Sequence, residues 1–235
     1  MKTLIFLCVI GIINCFNIPD PLLSVTNLAT TKFISGKLNS IDLDKKISRK
    51  ILHITSAPTF IYTWQFYDSK IWASIVPATM LLLLITKNET LSRIISRSGD
   101  NNELGKGPAL YTLILLLITI GYWKNDPIGM ISMNQLAIGD GFAEIIGRKY
   151  GKTKWFGGNK SVEGTIAFFS TSSVFTYISL NIYNLSENGY SYNITDIILI
   201  SFFCSMAELV SNVDDNITIP LTAILVNYFL VSNTM

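Results

Sequence analysis

Seven long apolar stretches follow one another along the chain, at Ile47 to Phe66, Ile71 to Ile85, Pro108 to Trp123, Pro127 to Ile146, Val162 to Tyr183, Thr195 to Val210 and Ile217 to Val231. Each has about the length of a membrane-crossing helix, tilted or slightly short. A further run, Leu4 to Phe16 behind Lys2, is shorter than the ~20 residues needed to span and fits the apolar core of a secretory signal better than an anchor. The pattern predicts an all-α fold: a polytopic membrane helical bundle with about seven transmembrane helices, eight with the N-terminal run. Pro58, Pro77, Gly129, Gly139 and Gly141 interrupt several stretches, which membrane helices tolerate when neighbours re-satisfy the backbone.

Between the first run and the first span, Ser24 to Ser40 is rich in Ser, Thr and Asn and carries Lys32 and Lys37 with no acid. That composition fits a transit peptide and an ordinary polar linker equally well. Residues 1–45 therefore read as a signal, transit-like or anchor segment with a polar linker, ahead of one membrane-embedded domain over 46–235. Signal plus transit would direct the chain to a plastid bounded by extra membranes, and the endoplasmic reticulum is the alternative.

Composition agrees with the pattern. Of 235 residues 49% are hydrophobic and only 14% charged, against about 25% charged in soluble domains. Mean hydropathy is +0.42. The net charge of +2 is too small to imply a nucleic-acid partner, and its distribution matters more than its sum. Cys8, Cys15 and Cys204 have neither disulfide-framework nor zinc spacing. Alternating the seven spans across a bilayer puts thirteen basic residues on the side that holds the start of the first span, and two, Lys70 and Lys124, on the other. By the positive-inside rule the basic side faces the cytosol or the equivalent stroma.

The same side collects the candidate chemistry. In GDGFAEIIGRKYGKTKW, Gly139 to Trp155, the carboxylates of Asp140 and Glu144 are one helical turn apart and share a face. An uncompensated carboxylate near mid-membrane costs roughly 2.5 kcal/mol or more, so the pair calls for a cation. Arg148, Lys149, Lys152 and Lys154 follow at once, a combination suited to a divalent metal and a polyphosphate at a membrane surface. Gly139 and Gly141 would allow close approach to the backbone at Asp140, although small residues in membrane helices more often serve packing. GRKYGKT has three residues between its glycines, one fewer than a Walker loop requires, so a Walker nucleotide fold is rejected.

Three other clusters accompany it. Arg49, Lys50 and His53 lie within one turn, and an intramembrane histidine is a candidate for orienting phosphate or accepting a proton. Glu103, Lys106 and Gly107 precede Pro108, where a helix start leaves N–H groups for an anion. Lys160 and Glu163 open the next span, and Glu208, Asp214, Asp215 and Asn216 flank the last turn.

These elements, in this order, resemble the CTP-dependent polyprenol kinases, the phytol, farnesol and dolichol kinase group related to phosphatidate cytidylyltransferases. The matching residues are RKILH at Arg49 to His53, LGKGPALY at Leu104 to Tyr111, GDGFAEIIGRKYGKTKW, NKSVEGT at Asn159 to Thr165, and AELVSNVDDNITIPL ending at Leu221. The short chain looks more like phytol and farnesol kinases than dolichol kinases. WFGGNKSVEG departs from the pattern by placing two glycines in a stretch expected to hold Pro and more basic residues.

The resemblance implies transfer of the γ-phosphate of CTP to a prenyl alcohol, phytol, geranylgeraniol or farnesol, with Mg2+ as cofactor. It implies Asp140, Glu144 and Asp215 as metal ligands, and Arg49, Lys50, Lys106, Arg148, Lys149, Lys152 and Lys160 as triphosphate contacts. Glu163, Glu208 and His53 stand as catalytic candidates beside Asp140 and Glu144. Phosphoryl transfer suits such a set, since it needs chiefly metal and cationic clamps holding phosphates in line. The rival readings are a cytidylyltransferase making a CDP-lipid and a transporter of anionic solutes, and the nearly bare opposite side counts against transport.

Overall fold

A computed structural model of the chain describes residues 18–40, 45–86, 107–123, 126–183, 192–211 and 213–232. Leu4 to Phe16, Cys8, Cys15, Glu103 and Lys106 lie outside the described residues. Within them the fold is helical, with one isolated antiparallel bridge between Lys154 and Ser161. The helices are α1 (Asp20–Asn39), α2 (Lys45–Thr63), α3 (Lys70–Ile85), α4 (Gly107–Gly121), α5 (Ile128–Asn134), α6 (Gly141–Tyr150), α7 (Val162–Tyr183), α8 (Ile194–Val210) and α9 (Asp215–Ser232). A π-helical turn, Gln135–Asp140, joins α5 to α6.

Helices stand at each of the seven apolar stretches, but the fourth is not one regular helix. It is α5, the π turn and α6 in series, and every residue from Ile128 to Asp140 is buried. This segment is the axis of the bundle, packed on by α2, α7, α8 and α9. Met133, Leu136, Phe168 and Ile200 form the core around it. Among the described residues one helix, over Val162–Ile182, is long and apolar enough to cross a bilayer by itself, and α3 and α4 are shorter apolar helices.

The stretch from Ser24 to Ser40, read as a linker or transit-like segment, is helical as far as Asn39, as part of α1. The hydroxyls of Thr26, Thr30 and Thr31 donate to carbonyls one turn back, at 2.8, 2.8 and 3.0 Å, which satisfies them inside a helix. The Asp20 carboxylate accepts from the backbone N–H groups of Asp68 and Ser69, both at 2.9 Å, at the start of α3. Ser24 Oγ and Asn27 Nδ2 each lie 3.2 Å from the Tyr67 hydroxyl, and Asn27 Nδ2 also donates to Thr63 Oγ1 at 3.0 Å. The polar residues that made the segment look unstructured pin it to α2 and the turn after it.

Glycine explains how closely the helices meet around Asp140. A Cβ on Gly139 would lie 2.7 Å from the Phe168 ring of α7, and one on Gly141 would overlap the Ile54 side chain of α2. These glycines admit helix neighbours, the packing role of small residues. Polar pins add to this: Gln135 Nε2 donates to Ser201 Oγ of α8 at 3.0 Å and to Thr176 Oγ1 of α7 at 3.3 Å, and Asn134 Nδ2 donates to Ser179 Oγ at 3.0 Å.

Candidate active site

Asp140 ends the π turn, a feature frequent at functional sites, and Glu144 follows one turn into α6. Their shared face is confirmed by a third group between them. Lys50 of α2, itself buried, brings its ammonium 2.5 Å from Asp140 Oδ2 and 2.9 Å from Glu144 Oε2. Arg148, a further turn along, donates to Glu144 Oε1 from Nε at 2.9 Å and from its terminal nitrogen at 2.8 Å.

A second group meets the first from the other end of the chain. Lys160, just ahead of α7, donates to Glu208 near the end of α8 and, at 3.0 Å, to Asp215 at the start of α9. Burial acts to lower the Lys160 pKa, but the two adjacent carboxylates outweigh it and hold the ammonium above its ordinary value. Asp140, Glu208 and Asp215 each place a carboxylate oxygen within 4.8 Å of the others. Oxygen donors of this kind suit a hard divalent cation such as Mg2+. The balance of charge also fits one, since four carboxylates face Lys50 and Lys160, with Arg148 on the outer edge.

Two cavities open on this cluster and share Asp140, Glu144, Lys160 and Asp215 in their walls. One, of about 500 Å³, is polar and is lined by Arg148, Lys154, Asn159, Ser161, Thr165 and Glu208. The other, of about 380 Å³, runs between α1, α2, α3 and α4 past Arg49, Lys50, Leu52, His53, Met80, Leu84 and Tyr111.

The remaining candidates divide sharply. Arg49 and His53 line the second cavity. The His53 Nε2 lies 3.3 Å from the Leu136 carbonyl and 3.9 Å from Asp140 Oδ2, and its ring stacks at 3.7 Å on Tyr111. Because a carbonyl only accepts, Nε2 carries the proton in that bond. Glu163 is not aimed at the cluster: its carboxylate accepts from the backbone N–H groups of Lys152 and Thr153 at 3.0 and 3.1 Å and fastens the loop before α7. Lys149 is exposed, its ammonium 5.2 Å from the Tyr150 ring centre, and Lys152 is exposed beside it. Neither lines either cavity. Glu144, expected as a metal ligand, is engaged by Lys50 and Arg148, while Glu208 takes its place in the trio of carboxylates. Asn159, Ser161 and Thr165 were signalled only by the NKSVEGT element; Thr31 and Met80 had no sequence signal, since only helix packing brings them to the site.

The sequence matches no protein-family model, and no solved structure matches it. It is 30% identical over 211 residues to "Probable phytol kinase, chloroplastic" of Triticum aestivum, covering 82% of this chain and 70% of the relative. It is 31% identical over 203 residues to "Phytol kinase 1, chloroplastic" of Arabidopsis thaliana, covering 79% and 67%. To "Farnesol kinase, chloroplastic" of the same plant it is 33% identical over 205 residues, covering 80% and 66%. The chain thus spans about two thirds of the length of these relatives. With four fifths of the chain aligned, the chain belongs to the polyprenol kinase family that includes phytol and farnesol kinases.

Proposed function

We propose that the protein phosphorylates a prenyl alcohol of the phytol, geranylgeraniol or farnesol class, using CTP and releasing CDP. The observation that carries this reading is the junction of a polar and an apolar cavity at one cluster of buried acids and lysines. A nucleoside triphosphate requires the first and an isoprenoid the second, and phosphoryl transfer requires that they meet. The names of the relatives support the alcohol, and the order of motifs supports CTP.

Asp140, Glu208 and Asp215 would hold Mg2+, which when bound neutralises charge on the phosphates. Lys160 and Arg148 bind and orient the triphosphate from the polar cavity, with Arg49 and Lys50 at the junction with the apolar one. The alcohol oxygen bonds to the γ-phosphorus as the bond to the CDP oxygen breaks. His53 lies on the alcohol side of the junction, and since its Nε2–H is held by the Leu136 carbonyl, its Nδ1 is the nitrogen that takes the hydroxyl proton.

The bundle lies in a bilayer in this reading, crossing about seven times, with the acid cluster at the basic, cytosolic or stromal rim. Ile71, Leu82, Ile166 and Phe229 are 70, 61, 58 and 62% exposed on the outer surface, as lipid-facing side chains would be. The chloroplastic relatives favour a plastid membrane.

The test is incubation of membranes holding the protein with γ-labelled CTP, Mg2+ and phytol, geranylgeraniol, farnesol or dolichol. Label in a prenyl monophosphate, lost in Asp140→Asn, is the expected result. Pyrophosphate with a CDP-lipid would make the protein a cytidylyltransferase, and solute uptake into proteoliposomes without nucleotide turnover would make it a transporter.

A further inference from the structure

The apolar cavity has a floor. Position along each surrounding helix measures depth, because α2 and α4 enter from the end that carries the acids and α3 runs the other way. Leu84 of α3 packs with Leu52 of α2 and Ala109 of α4 near the mouth, whereas Val76 shares the deeper core with Phe60 and Leu115. On α2 the lining extends from Arg49 to Ser56, a depth of about 10 Å at ~1.5 Å per residue. On α3 its deepest side chain is Met80, with Thr31 of α1 lining the cavity at about the same depth. One turn further on the same helices, Phe60 and Val76 are 4% and 5% exposed and belong to the continuous core. On these two helices, α2 and α3, the lining ends there.

We propose that Met80 and Ser56 gauge the isoprenoid chain, deciding which lengths bring their hydroxyl to Asp140 without bending at the floor. This rests on the reading of the apolar cavity as the alcohol's site. A chain whose hydroxyl lies at the acid cluster extends down α2 until it meets these two side chains. A short chain ends above them, and a longer one turns against the Met80 thioether. Serine is small, so the floor takes its shape from the unbranched methionine, a side chain that fills irregular space adaptably. Neither residue lines the polar cavity, so the gauge acts on the alcohol and not on the nucleotide.

The experiment compares kcat/KM for geraniol and geranylgeraniol in the full chain and in Met80→Trp and Ser56→Leu, which raise the floor from opposite walls. Either variant is expected to lower the geranylgeraniol-to-geraniol ratio by about tenfold or more, the range in which pocket methylenes discriminate. Met80→Leu should leave the ratio unchanged, and KM for CTP should stay at the wild-type value in all three. A ratio within roughly threefold of wild type in both fillers, or an equal loss on both alcohols, overturns the gauge, since a shape-reading pocket discriminates by more. Absence of phosphate transfer to any alcohol in the wild-type protein would instead defeat the functional reading itself.

Discussion

Lys50→Met tests the electrostatic design most directly, because methionine keeps much of the lysine stem and deletes only the ammonium. In the native protein that ammonium is 7% exposed as a residue and sits 2.5 and 2.9 Å from two carboxylates, of which Asp140 is 8% exposed. Removing one partner of a buried ion pair costs about 3–5 kcal/mol, because the other charge is left buried and uncompensated. Arg148 still reaches Glu144, so the penalty falls chiefly on Asp140. For a chain of this size about 1 kcal/mol corresponds to roughly 2–4 °C in Tm. The expected loss is therefore about 6–20 °C by thermal unfolding in detergent micelles. Adding Asp140→Asn should recover most of it, giving a coupling of about 2 kcal/mol or more between the two positions. A shift of less than about 2 °C for Lys50→Met, or additive effects in the double variant, would show that Lys50 does not compensate Asp140 and would refute the reasoning.

Two further outcomes separate packing from chemistry. Gly139→Ala places a Cβ 2.7 Å from the Phe168 ring and is expected to cost about 1–3 kcal/mol, the range for overpacking; an unchanged midpoint in thermal unfolding would mean that α7 is not held against the axis there. Glu208→Gln should raise the Mg2+ concentration giving half-maximal transfer by about a hundredfold or more, and by more than Glu144→Gln, whose place beside Lys50 is that of a partner outside the ligand set, worth about 10–100-fold. The reverse order, read from Mg2+ titrations of activity, would restore Asp140 and Glu144 as the metal pair.

Hydrophobic runs in the sequence coincide with helical structure at each of the seven apolar stretches, and the order of charges along the chain marks Arg49, Lys50, Asp140, Lys160, Glu208 and Asp215 as one candidate group. These properties are local: a long apolar run favours a helix by its own length and composition, and a carboxylate within such a run is costly once the helix is buried in lipid. The family motifs were legible for the same reason, as contiguous strings. α1 was not, because its Ser, Thr and Asn residues signal a linker until their partners on α2 and the turn at Tyr67 are known.

Only the tertiary structure decided who pairs with whom. Lys50 and Asp140 are 90 residues apart in the chain, and Lys160 and Glu208 are 48 apart, so no periodicity links them. Helical spacing brings Asp140 and Glu144 together, but packing of α8 and α9 against the axis sets Glu208 and Asp215 beside Asp140 and leaves Glu144 to Lys50 and Arg148. The same packing turns Glu163 toward the loop and opens a cavity between α1 and α4. A helix specifies its own faces from its sequence; which face meets which neighbour is settled by close packing of the whole bundle, where a single glycine such as Gly139 determines how near two helices come.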